Sequence, residues 1–212
     1  MYRNILIITA LIFLSLSAVA QNKTFQAITE EASFRMKFLE AARKINTIQA
    51  DFLQEKNLNV LDEKIVSKGK FWFKRQSMVR MEYTSPYKYL MVINQDKMTI
   101  KDDAKTTTLS SRSNKLLEYV NKIIIDCVQG TAIDSKEFSV KVLENDKQYL
   151  LELVPVKKEM REFFSAISLF IDKSDNSVQR MEMKEPNGDS TLFTFMNKKF
   201  NEIIPETFFI VH

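Results

Sequence analysis

Gly69-Lys70-Phe71-Trp72-Phe73-Lys74-Arg75, followed by Val79-Arg80-Met81-Glu82-Tyr83, carries the period of two of paired β-strands. Val79, Met81 and Tyr83 alternate with Arg80 and Glu82, the period of two expected of a strand with one buried face. The same period puts Phe71 and Phe73 on the face of Arg75, and Lys70, Trp72 and Lys74 on the other. On either side, the region from Gln49 to about Leu109 consists of short aromatic and β-branched runs separated by polar turns. Tyr89 to Ile93 is a continuous apolar strand, and Pro86 falls between two runs, where a turn tolerates it. Gly69 fits a bulge or turn ahead of Phe71. These features predict an antiparallel meander.

Helical patterns flank the meander. From about Thr24 to Ile48, Phe34, Phe38, Ala41 and Ile45 recur at i, i+4, i+7 and i+11. From Ser113 to Gln129, Leu116, Val120, Ile123 and Cys127 form one stripe, which Leu117, Ile124 and Val128 widen. Gly130 follows where a left-handed cap is expected. Further strands are read at Phe138 to Val142, Tyr149 to Val154, Phe164 to Ile171, Val178 to Met183 and Leu192 to Phe200. Between the last two, Pro186-Asn187-Gly188-Asp189 is a strong hairpin signal. The order is therefore helix, about six strands, helix, and five or so more strands. It predicts a mainly β (α+β) domain, one large curved antiparallel sheet with two helical segments on its concave face. Phe71, Phe73, Val79, Met81 and Tyr83 should form one apolar face beneath the helix from Leu116 to Val128.

The first twenty residues read as an export signal. Arg3 precedes an apolar run from Ile5 to Leu16, and Ala18-Val19-Ala20 supplies a peptidase site, so the mature chain should start at Gln21. The run is too short for a membrane anchor. Residues 21–212 fit one domain, placed beyond an inner membrane.

That compartment oxidises thiols, yet the chain has a single cysteine, Cys127, which in its apolar stripe reads as a buried core thiol. The 31 Lys and Arg against 27 Asp and Glu are dispersed, whereas nucleic-acid binding calls for a concentrated stripe. Sixteen Phe, six Tyr and ten Met beside three Gly suit a hollow that adapts to a flexible apolar ligand.

Catalytic chemistry finds little support. The single histidine is His212, the final residue, and Cys127 has no histidine partner. Asp102-Asp103 reads as a solvated turn rather than a carboxylate pair or a metal site. Neither Walker nor Rossmann glycine patterns occur. No catalytic residue, metal or cofactor is expected.

Phe52-Leu53-Gln54, then Gly69 to Arg75, an alternating strand closing on Ser85-Pro86, Tyr89 to Ile93 with a polar turn, and the ending Ile203-Ile204-Pro205 through Phe208-Phe209 together resemble the LolA family of outer-membrane lipoprotein carriers. The resemblance is clearest over residues 45 to 100. It implies a half-open antiparallel β-barrel of about eleven strands with a helical lid over an apolar hollow. It also implies a carrier that takes acylated lipoproteins from an inner-membrane lipoprotein-releasing transporter to an outer-membrane acceptor. On this reading Phe71, Phe73, Val79, Met81, Tyr83, Met91, Leu116, Val120 and Ile123 line the hollow of a periplasmic monomer. Arg75 by itself reads as a surface arginine ending a strand; the resemblance makes it a partly buried latch on the lid. Three departures mark a diverged branch. Gln76 replaces the proline after the arginine, Asn94-Gln95-Asp96 replaces an Asp-Gly turn, and Val79 and Met81 replace aromatic residues, which implies a differently shaped hollow. Two other readings are a sensor of mislocalised lipoprotein or lipid on the same fold and, from another class, a periplasmic hydrolase.

Overall fold

The computed structural model describes residues 24–110 and 112–211. The export signal at residues 1–20 and its cleavage site before Gln21 lie outside the described residues, as does His212. In chain order the elements are Gln26–Ala27 (β1), Glu31–Lys44 (α1), Thr47–Leu58 (β2), Glu63–Lys74 (β3), Met78–Ser85 (β4), Tyr89–Asn94 (β5), Lys97–Lys101 (β6), Thr106–Ser110 (β7) and Lys115–Gln129 (α2). They continue with Phe138–Glu144 (β8), Gln148–Pro155 (β9), the single turn Lys158–Arg161 (α3), Ala166–Asp172 (β10), Val178–Lys184 (β11) and Ser190–Phe200 (β12).

Among the described residues twelve strands form one open antiparallel sheet in the order β1-β8-β9-β10-β11-β12-β2-β3-β4-β5-β6-β7. The two halves of the chain join where β12 pairs with β2, with Phe195 opposite Phe52. The meander and the later strands are thus as expected, with one strand more than the eleven anticipated. The addition is the two-residue β1, where Gln26 and Ala27 pair with Glu144 and Leu143.

Its presence also corrects the first helix, which was expected from about Thr24 to Ile48. Helix α1 begins at Glu31, and by Ile45 the backbone is extended (φ −86°, ψ 115°) because Thr47 already opens the ladder with β3. Phe34, Phe38 and Ala42 are its buried residues. The second helix is close to its expected span. The Asn114 side chain accepts a hydrogen bond from the Leu117 N–H at 3.1 Å, satisfying one of the donors that a helix start leaves open. Gly130 closes the helix at φ +75°. Gly69 sits at a register shift between β3 and β4. A Cβ there would lie 2.1 Å from the Glu82 carbonyl oxygen and 2.8 Å from the Phe52 ring.

From β3 to β5 the sheet is covered on both faces. Phe71, Phe73, Val79, Met81 and Tyr83 lie on the concave side, in one core cluster with Leu117, Ile123 and Cys127 of α2. Period two sends Trp72 to the convex side. There, with Met78 and Val92, it is covered by the C-terminal segment through Ile204, Phe208 and Phe209. The Trp72 and Phe208 rings meet edge to face at 5.1 Å, and the Arg80 guanidinium lies 4.3 Å over Phe208. Among the described residues no helix is long and apolar enough to cross a membrane.

Candidate functional site

The concave face of the sheet does not meet the helices everywhere. Between them remains a cavity of about 230 Å³. Its floor carries Phe71, Met81, Tyr83 and Met91 from β3 to β5, with Met181 and Met183 of β11 and Phe193, Phe195 and Phe200 of β12. Val120, Ile124, Cys127 and Val128 of α2 roof it, and Phe38, Ala42 and Ile45 close the side towards α1. Thioether and aromatic side chains of this kind adapt to ligands without fixed shape. A dry cavity of ~150 Å³ accommodates one six-carbon ring, so 230 Å³ has room for a larger apolar group.

Of the residues expected to line a hollow, Phe71, Met81, Tyr83, Met91 and Val120 do face this cavity. Phe73, Val79 and Ile123 are fully buried in the adjoining core, so they shape the cavity without lining it. Leu116 is a correction: it is 44 % exposed, whereas Leu117 is 5 % exposed. Successive residues on a helix are 100° apart, and the stripe that faces the sheet runs through Leu117, Val120, Ile124 and Cys127, leaving Leu116 outside. The alternation Arg180-Met181-Glu182-Met183-Lys184 was an available signal for the β11 residues, whereas in β12 Leu192 and Met196 flank Phe193 and Phe195 and leave the inward parity open.

Arg75 follows the last residue of β3 and turns back to the helix. Its backbone N–H donates to the Asn46 carbonyl at 2.9 Å. Its Nε donates to the Ile45 carbonyl at 2.6 Å, and its Nη2 to the carbonyls of Ala42 at 2.7 Å and Arg43 at 2.9 Å. Carbonyls in the last turn of a helix lack the regular i+4 donor and form the negative end of its dipole; among the described residues Ala42 otherwise accepts only from the Ile45 N–H at 3.2 Å, so a guanidinium there adds a donor and a positive charge where both are favourable. Arg75 thereby ties the C-terminal end of α1 to the sheet beside the cavity.

The cavity is apolar except at one end, where Asn176, Ser177 and Lys198 enter its wall. The Lys198 ammonium donates to Ser177 Oγ and lies 3.0 Å from Asp175 Oδ2. Ser177 donates from its N–H at 2.9 Å and from its hydroxyl at 2.8 Å to Asp175 Oδ1. Simple alternation would point residue 198 away from the cavity that Phe193 and Phe195 line. The pairing of β12 with β2 shifts between Met196 and Lys199, with Asn197 at φ +53°, and this bulge brings Lys198 inward. An asparagine, tolerant of the left-handed region, inside a strand was the available signal.

Burial pushes the Cys127 thiol up, which removes the thiolate a nucleophile needs. Burial likewise pushes up the Tyr83 hydroxyl, whose ring stacks on Tyr89 at 4.0 Å. Asp102 sits in a turn, accepting from the N–H groups of Ala104 and Lys105. Among the described residues no group of three His, Cys, Asp or Glu is placed to hold a metal ion.

A family model described as "Outer membrane lipoprotein carrier protein LolA" matches residues 43–211. A search of curated proteins finds no match. Among solved structures the chain is similar to MucB, with 12% identity and a TM-score of 0.50, covering 88% of this chain and 65% of that one. It is also similar to a LolA superfamily protein from Nitrosomonas europaea (11% identity, TM-score 0.43, covering 87% of this chain and 99% of that one). A third is lipoprotein LppX from Mycobacterium tuberculosis (9% identity, TM-score 0.45, covering 82% and 96%). At such identity the MucB likeness speaks to the fold alone.

Proposed function

The chain belongs to the LolA family, and from that premise and the roofed apolar cavity we propose that it is a periplasmic carrier for the acyl chains of lipoproteins. The observation that carries this reading is the cavity itself: apolar on nearly every wall, built on a continuous sheet, roofed by α2 and flanked by α1, whose C-terminal end Arg75 fastens to the sheet. An acyl chain loses about 0.8 kcal/mol for each CH₂ left in water, so a lipoprotein does not cross an aqueous gap unescorted. A cavity between sheet and lid hides those methylenes.

Holding and releasing are opposed demands, and Arg75 reconciles them. Widening the cavity for long chains moves α1 away from the sheet and breaks bonds to the Ala42, Arg43 and Ile45 carbonyls. Their re-formation favours release and keeps affinity below what apolar burial alone supplies. The carrier acts as a monomer, exported by the signal at residues 1–20 and folded as one domain over residues 21–212. It receives cargo from an inner-membrane lipoprotein-releasing transporter and yields it to an outer-membrane acceptor.

The test is transfer. Purified protein from a host that makes lipoproteins is analysed by intact mass for acylated species. The loaded protein is then mixed with outer-membrane acceptor vesicles. Co-purifying lipoprotein that moves to the vesicles is expected. Lipoprotein that binds but never leaves indicates a sensor, turnover of ester substrates a hydrolase, and no acyl ligand at all sinks the carrier reading.

A further inference from the structure

We propose that Lys198 and Ser177 form a polar seat inside the apolar cavity for the ester carbonyls that join acyl chains to a glycerol head. The proposal rests on the carrier reading and deepens it, because it says which end of the ligand lies where. An ammonium beside an apolar cavity is costly unless its donors are satisfied. The chain could have left Lys198 on the convex face by simple alternation. Instead a bulge with Asn197 in the left-handed region turns it inward, and its side chain is 14 % exposed.

The charge balance selects the ligand. Asp175 pairs with Lys198 and Asp172 lies close enough to feel the same ammonium, so the seat carries no net positive charge and suits a neutral carbonyl oxygen better than a further anion. Two of the three ammonium donors are directed at Ser177 Oγ and Asp175 Oδ2, and one remains for a ligand. Donation of the Ser177 hydroxyl to Asp175 Oδ1, beside that of its backbone N–H, orients the oxygen so that it accepts a hydrogen bond from the Lys198 ammonium.

Position gives the direction. Phe200 pairs with Ile48, and Ile48 pairs with Phe73, so Lys198 lies at the same end of the sheet as Arg75 and the C-terminal end of α1. Asp175, 36 % exposed, continues the seat to the surface. A glycerol head held there leaves its chains to run inward past Phe195, Phe193 and Met181, away from the latch. The seat therefore recognises acyl-glycerol esters, which occur both in the diacylglyceryl group of a lipoprotein and in a phospholipid.

The experiment compares three probes on wild type, Lys198→Met, Lys198→Arg and Ser177→Ala. The probes are a tripalmitoylated glycerylcysteine peptide, dipalmitoyl phosphatidylglycerol, and diphenylhexatriene, a hydrocarbon with no head. Lys198→Met should bind the triacylated peptide about 10-fold more weakly, the scale of one charge-assisted hydrogen bond, and bind diphenylhexatriene as well as wild type does. That retained binding certifies an intact cavity. Lys198→Arg should keep most of the peptide affinity, and Ser177→Ala should lose a few-fold, which tests the seat independently should Lys198→Met not fold. A parallel loss with phosphatidylglycerol supports recognition of the shared esters, and a loss confined to the peptide supports the seat with lipoprotein as its source. Loss confined to phosphatidylglycerol marks the phosphate instead and overturns the proposal. So does unchanged peptide binding by Lys198→Met and Ser177→Ala, or an equal loss of diphenylhexatriene. Failure of wild type to bind any acyl probe removes the carrier reading itself, a different result from failure of the seat alone.

Discussion

Arg75 Nη2 lies 2.7 Å from the carbonyl oxygen of Ala42, and the Ala42 side chain lines the cavity. One residue thus connects the fastening of α1 to the space a ligand needs. Substituting Arg75→Leu should remove the competition between latch and ligand while adding apolar surface. Acyl ligands should then bind several-fold more tightly and transfer more slowly. Of the carbonyls it served, that of Arg43 is exposed and those of Ala42 and Ile45 are partly buried, so stability should fall by about 1–3 kcal/mol. Competition of a fluorescent lipid probe, followed by transfer to acceptor membranes, measures both. A folded Arg75→Leu protein with unchanged affinity and transfer rate would show that the arginine serves α1 alone.

Glu144 predicts an acid dependence. A hydrogen bond from Lys173 Nζ at 2.6 Å, reinforced by the backbone N–H of Thr29, holds its carboxyl below the ordinary value near 4.5. Backbone and hydroxyl donation from Ser174 does the same for Asp172, ordinarily near 3.8. A group whose folded value is depressed stabilises the fold fully above its unfolded value and loses that contribution as pH falls through the folded one. The urea midpoint should therefore hold from neutrality to about pH 5 and decline below it. Glu144→Gln should lower the midpoint at neutral pH, with the gap to wild type closing as the pH falls below 4.5. A gap that stays constant down to pH 3 would remove Glu144 from this account.

Gly69→Ala tests the close approach of β4 and Phe52 to β3. The new methyl group would meet the Glu82 backbone oxygen at 2.1 Å, and backbone in a ladder has little room to yield. A destabilisation of about 2 kcal/mol or more is expected from urea unfolding. A midpoint within error of wild type would show that the bulge at Lys68-Gly69 absorbs the change.

What the sequence discloses follows from how local each cause is. Val79, Met81 and Tyr83 could be placed on the concave face because alternation is a property of neighbours, and Gly130 at a helix end because its cap needs no distant partner. Lys198 was hidden because its direction depends on one extra residue opposing β2, a matter of pairing across the sheet. The burial of Trp72 was equally hidden, since its cover, Phe208, arrives from the far end of the chain. Leu116 misled because a broad apolar arc leaves the centre of the helix face undetermined to within one residue. Arg75 illustrates the converse: strand parity says nothing of its reach to the Ala42 and Ile45 carbonyls, which lies in side-chain length and in the carbonyls that a helix end directs outward.

Cys127 offers a direct reading of roof movement. It is 4 % exposed, it lines the cavity beneath α2, and burial pushes its thiol up, so both access and thiolate formation require the roof to lift. In the folded protein at pH 8, alkylation by iodoacetamide should run at least about 100-fold more slowly than in urea, because it waits on a minor open population. Arg75→Leu releases α1, which packs against α2 near Gly130 through Ala42 and Phe38. It should raise the labelling rate about 10-fold, as the loss of a charge-assisted bond predicts. Saturation with the triacylated peptide should slow labelling in both proteins, since acyl chains then lie against the sulfur. Mass spectrometry over a time course gives each rate. If Arg75→Leu labels no faster than wild type while still binding lipid more tightly, the tighter binding comes from added apolar surface, and the latch plays no part in opening the cavity.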